Sequence, residues 1–168
     1  MQKRNYHHIL LFLLWGAFLI LTVAIVFLSL QDGVKAKEMM KVFMEYAAQY
    51  VDRELIAGLG NAQQAEYLIR QAGRAGAFFL LGVLGTAAVH ITFQKCNWFF
   101  KTVLATGGLL AIAYLTEKVK EYLPTRHFSE KEMLISIASV IAGFLTVSFI
   151  TFFWWIIKGI MRLICWDN

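Results

Sequence analysis

The sequence holds a single proline, two cysteines and few charges. The proline, Pro124, lies outside every long apolar run, so none of those runs carries a built-in kink. Two cysteines, Cys96 and Cys165, are too few for the disulfide framework of a small secreted domain. Several catalytic patterns are also missing. There is no glycine-rich phosphate loop, no HExxH, no CxxC and no GxSxG. No set of histidines, cysteines and carboxylates has metal-ligand spacing, and no cofactor is implied. Charged residues make up 16% of the chain and hydrophobic residues 59%. A soluble domain is about 25% charged, so the expected solvent is a bilayer.

About 20 apolar residues cross the hydrocarbon core at 1.5 Å per residue. Four runs of that kind are present: His8 to Leu30, Ala75 to Phe93, Trp98 to Leu115, and Met133 to Ile157. The first follows Lys3 and Arg4, as a secretory signal would, but it is long. It ends in Ser29-Leu30-Gln31-Asp32-Gly33 without a small-residue cleavage site, and reads as a retained anchor. The expectation is one all-α membrane domain over residues 1–168, a bundle of four transmembrane helices.

Charge placement sets the orientation. With four spans, the two tails and the second loop share one side, and there Lys3, Arg4, Lys95, Lys101, Lys158 and Arg162 face one acid, Asp167. The other side balances ten basic against ten acidic residues. The positive-inside rule then places both termini in the cytoplasm. The formal net charge of +5 reflects this collar, and no nucleic-acid motif accompanies it. Both cysteines fall on the same side, where thiols stay reduced. Trp98, Trp154, Trp155 and Trp166 lie near the inner ends of spans, where tryptophans anchor a protein at the interface.

Between the first two spans, apolar Met39, Met40, Phe43, Ala47 and Tyr50 alternate with polar Lys37, Glu38, Lys41, Glu45 and Asp52. That spacing predicts an outer amphipathic helix on the membrane surface or capping the bundle. Gly58 and Gly60 end it, and the next helix runs from Ala62 straight into the second span. Gly73, Gly76, Gly82 and Gly85 thin that helix, and Gly73 and Gly76 with Ala72, Ala75 and Ala77 are expected to allow close backbone contact with a neighbour. His90, alone within the second span, is expected to make a hydrogen bond to another helix. Glu117 continues the third helix, Pro124 and Thr125 make a turn, and Ser129 with Glu132 reads as a capping box opening the fourth span.

The outer ends carry the candidate site. Arg70 and Arg74 sit one turn apart at the start of the second span, and Glu117, Arg126 and Glu132 return to the same level. Two arrangements satisfy this placement. One is a solvated ring of interfacial charges; the other is a polar pocket in which the charges pair and surplus arginine binds a phosphate or carboxylate through paired hydrogen bonds. Arg70, Arg74, Glu117, Arg126 and Glu132 are the candidate ligand-binding residues.

Three stretches, in order, resemble the VanZ-like family of small bacterial membrane proteins, named for an accessory factor in teicoplanin resistance. Leu28 to Gly33 resembles its serine-glutamine stretch. Ile69 to Gly82 resembles its R-K-x-A-H-F-x-E-Y motif, and Glu117 to Gly143 its longer third signature. Arg70, Gly82, Glu117, Pro124, Arg126, Ser129 and Gly143 match, with Glu132 in place of an aspartate. The chain departs at Arg74 for histidine, Ala77 for glutamate, Thr116 for aspartate, Lys120 for glutamine and Ser136 for asparagine. It is a divergent member by this pattern, and the lost histidine and glutamate are the groups an acid-base reaction would use.

The resemblance implies a four-span protein of the bacterial cell envelope associated with glycopeptide tolerance. Together with the outer arginines, it gives the first reading: a factor that binds an anionic lipid, lipid-linked precursor or wall component at the outer leaflet and thereby alters glycopeptide susceptibility. The alternative is a non-catalytic membrane subunit that docks a protein partner through the amphipathic helix and the glycine-rich span. A membrane enzyme is a third class, for which the sequence offers no visible nucleophile or metal set.

Overall fold

A computed structural model describes residues 2–30, 62–93, 96–122 and 129–164. The expected amphipathic helix at residues 36–52, together with Arg126, Pro124, Cys165 and Trp166, lies outside the described residues. Among the described residues there are four α-helices: α1 (Gln2–Leu30), α2 (Ala62–Thr92), α3 (Trp98–Lys118) and α4 (Glu130–Ile164). Each contains a stretch long and apolar enough to cross a membrane, and together they have the architecture of a multi-pass membrane protein. α2 runs unbroken from Ala62, as the sequence predicts, and α4 extends well past both limits of the expected fourth span.

The helices alternate in direction. Trp15 of α1 donates through Nε1 to Thr92 Oγ1 of α2 at 3.0 Å, which fixes the antiparallel first pair. A tight connection joins α2 to α3, with Cys96 N donating to Phe93 O at 3.0 Å. α2 and α4 are therefore parallel neighbours, and they form the most extensive helix pair.

Backbone proximity explains that pairing. A Cβ placed on Gly82 would lie 2.5 Å from Val140 O and 3.2 Å from Gly143 Cα, and one on Gly143 would collide with Phe79 O. These two glycines are the crossing point of α2 and α4. Between lipid-solvated helices there is little hydrophobic drive to associate, so such close van der Waals contact carries much of the packing. Gly85 makes a second notch: a Cβ there would come within 2.8 Å of Leu109 and Phe18 side-chain carbons. Phe18 stacks edge-on against Trp15, with centroids 5.7 Å apart, and joins Ile25, Phe78, Leu81, Leu109, Ala113 and Val140 in the core.

The expected contact at Gly73 and Gly76 is absent among the described residues. Both are exposed, and a Cβ at either would meet nothing within 4 Å. The close approach lies two to three turns further along α2, where the helix axes cross.

The outer surface is apolar. Phe12, Ile20, Phe149, Ile150, Trp98 and Trp155 are all well exposed, as lipid-facing side chains should be. Many hydroxyls on the helices bond back to their own helix: Thr22 donates to Phe18 O at 2.7 Å, Thr146 to Ala142 O at 2.8 Å, and Thr116 to Ile112 O, whereas those of Thr86 and Thr106 are buried without a partner among the described residues. A bilayer offers no water for these groups, so bonding back to the preceding turn is their cheapest partner.

The crossing point gives a differential prediction. Gly82→Leu or Gly143→Val should lower stability by at least 1–3 kcal/mol on the scale of about that size for overpacking. Gly73→Ala should be neutral or stabilising by up to about 1 kcal/mol, from helix propensity alone. Thermal unfolding in detergent, followed by gel filtration of the heated protein, separates the two classes.

Candidate functional site

At the end of the bundle away from the chain termini, three helices contribute charges to one cluster. α2 supplies Arg70 and Arg74, one turn apart on the same face. α3 supplies Glu117 in its last turn and then tightens into a 3₁₀ turn over Val119–Tyr122. Residues three apart superpose in 3₁₀ geometry, which helps to bring Lys120 over Glu117. α4 supplies Glu132 in its first turn, where the helix dipole favours an acid.

The four inner groups close a ring of alternating charge. Arg74 Nη1 lies 2.8 Å from Glu117 Oε1 and 2.7 Å from Glu132 Oε2. Lys120 Nζ donates to both oxygens of Glu117, at 2.8 and 2.7 Å, and reaches Glu132 Oε2 at 3.3 Å. Glu117 and Lys120 are each only 1% exposed. Each acid thus faces two cations and each cation two acids, so the desolvation of each charge is met by two ionic partners.

Arg70 stands outside this ring. Its Nη2 is 3.6 Å from Glu132 Oε1, and its side chain is 53% exposed. Its guanidinium carbon lies 6.0 Å from the centre of the Tyr67 ring. With the ring neutral, Arg70 is the surplus positive charge of the cluster.

Of the expected site residues, Arg70, Arg74, Glu117 and Glu132 meet in this one cluster, and Arg126 lies outside the described residues. Their roles differ from the expected ones. Arg74, Glu117 and Glu132 are occupied with one another, and Glu132 directs its carboxylate to Arg74, Lys120 and Arg70, so it is not a simple cap of α4. Lys120 is the member that sequence reasoning missed as a site residue. Its signal was its place three residues after Glu117, a spacing that pairs opposite charges on one helix face.

Gln71, beside Arg70 on α2, has both amide atoms buried without a hydrogen-bond partner among the described residues. His90 does not make the expected interhelical bond: its Nε2 is buried and unpartnered among the described residues. Cys96 is an exposed free thiol. Among the described residues, no group of three histidines, cysteines or carboxylates is placed to hold a metal ion.

No family model matches the chain, and neither a curated protein nor a solved structure matches it. The VanZ-like resemblance therefore rests on the motif residues of the sequence alone.

The ring predicts a graded response to substitution. Glu117→Ala leaves Arg74 and Lys120 with Glu132 as their one shared acid among the described residues and should cost about 3–5 kcal/mol, the range for breaking a buried pair. Arg70→Ala removes an exposed, loosely paired group and should cost about 1 kcal/mol or less. Denaturant unfolding of both variants in the same detergent tests the order.

Proposed function

We propose that the chain is a bacterial cell-envelope membrane protein of the VanZ-like kind, with both termini in the cytoplasm, that binds an anionic group at the outer mouth of its bundle and so alters glycopeptide susceptibility. The ligand class is an anionic lipid or a lipid-linked cell-wall precursor, whose phosphates meet Arg70. The observation that carries this reading is the charge balance of the cluster. Among the described residues, two acids and two cations neutralise one another, and a half-exposed guanidinium is left over with one loose ionic contact at 3.6 Å.

The neutral ring is a rigid base for that group. Glu132 orients Arg70 from below, and the outward N–H donors remain available for the paired bonds that guanidinium forms with phosphate. Arg126 is assigned as a second anion contact by the motif resemblance. The topology belongs to the same proposal, and the lysines and arginines at the termini end support it.

A second reading draws on Gly73 and Gly76. These glycines and Ala72 leave an open, small-residue strip on α2, which suits close contact with a helix of a partner protein. Leucine at both glycines would abolish activity under this reading and leave it intact under the first.

Teicoplanin susceptibility in a Gram-positive host lacking the protein tests the first reading. Wild type should raise tolerance, and Arg70→Ala at equal membrane level should return it to the empty-vector value. Arg70→Lys should be intermediate, because a lysine keeps the charge and loses the planar fork. Full tolerance with Arg70→Ala removes the assigned site; no effect of wild type removes the glycopeptide role.

A further inference from the structure

A second feature lies towards the opposite end of the bundle, near the chain termini. There α2, α3 and α4 enclose a cleft of about 630 Å³ whose wall is almost wholly apolar. His90 closes it on α2 and Trp98 on α3, while Leu145, Phe149, Phe152 and Trp155 line it along α4. Trp98, Phe149, Phe152 and Trp155 are well exposed, so the cleft faces the bilayer.

Its dimensions match one leaflet. Leu145 and Trp155 are ten residues apart, which is about 15 Å along a helix, or half of a hydrocarbon core of about 30 Å. His90 shares the wall with Ser148 and Thr151, which precede Lys158 by ten and seven residues, so it sits about 10–15 Å along the axis below that lysine, at the level of the acyl chains. Its buried Nε2 has no partner among the described residues.

Charge continues the same line. Lys158 and Arg162 follow Trp155 by three and seven residues, on one face of α4 and directly beyond the cleft. Both are exposed. Cations of this kind attract anionic headgroups.

From the apolar cleft and the exposed cations directly beyond it, we infer that this end of the bundle holds one anionic glycerophospholipid of the adjoining leaflet, with an acyl chain in the cleft and its phosphate beneath Lys158 and Arg162. This site is separate from the Arg70 cluster and does not rest on the function proposed for it.

Tryptophan quenching reads it directly. In the full chain with Trp15→Phe, Trp154→Phe and Trp166→Phe, emission comes only from Trp98 and Trp155, the two that line the cleft. The protein is placed in phosphatidylcholine vesicles containing either chain-brominated phosphatidylglycerol or chain-brominated phosphatidylcholine. Half-quenching should require about fivefold less of the brominated anionic lipid, the scale set by one cation at a membrane surface. Lys158→Gln with Arg162→Gln should erase that difference, and Ser148→Phe, which fills the cleft, should also erase it. Circular dichroism confirms that each variant is folded, and the two surface substitutions decide the matter if Ser148→Phe is not. Equal quenching by the two lipids, or a preference that survives the Lys158 and Arg162 substitutions, overturns the site.

Discussion

The closed ring of Arg74, Glu117, Lys120 and Glu132 is the interaction on which the charged end of this bundle depends. Bare charges at that depth are costly, and they persist where each is met by opposite charge. Here each group has two partners, drawn from three helices. The local structure is consistent with that demand. The end of α3 tightens into a 3₁₀ turn beside Lys120, and α4 begins where Glu132 can enter from its first turn. α2 is held through Arg74, so the ring links helices that otherwise touch mainly through small residues and core side chains.

The two ends of the bundle are built on different chemistry. Beyond the crossing of Gly82 and Gly143, the charged end is neutral at its centre and carries one surplus guanidinium, Arg70. The termini end has an apolar cleft below a line of cations. Midway, Phe18 fits the notch at Gly85 and couples α1 to the rest. In the two proposals, an anion is assigned to the guanidinium at one end and a lipid to the apolar cleft at the other.

Much of the fold was legible because a bilayer imposes a simple rule: long uncharged runs must be helices that satisfy their own backbone. The four helices followed from that, as did the uninterrupted entry of α2 from Ala62. Which glycines make contact was not legible. Gly73, Gly76, Gly82 and Gly85 look alike in sequence, and only the place where two axes cross distinguishes Gly82 from Gly73. At the site, shared depth was readable for Arg70, Arg74, Glu117 and Glu132, whereas their pairing was not. The ring needs Lys120, whose inward direction depends on the turn that ends α3. His90 shows the converse: an intramembrane histidine predicts a partner, and the described helices supply none.

A double-mutant cycle between Arg74 and Glu132 tests the ring most directly, since these residues lie on different helices and meet at 2.7 Å. Unfolding free energies of Arg74→Met, Glu132→Gln and the double variant would be measured in one detergent. A favourable coupling of at least about 1 kcal/mol is expected, within the range for residues in one ionic network. Additive effects, with no coupling, would contradict the closed ring and with it the rigid base on which Arg70 is held.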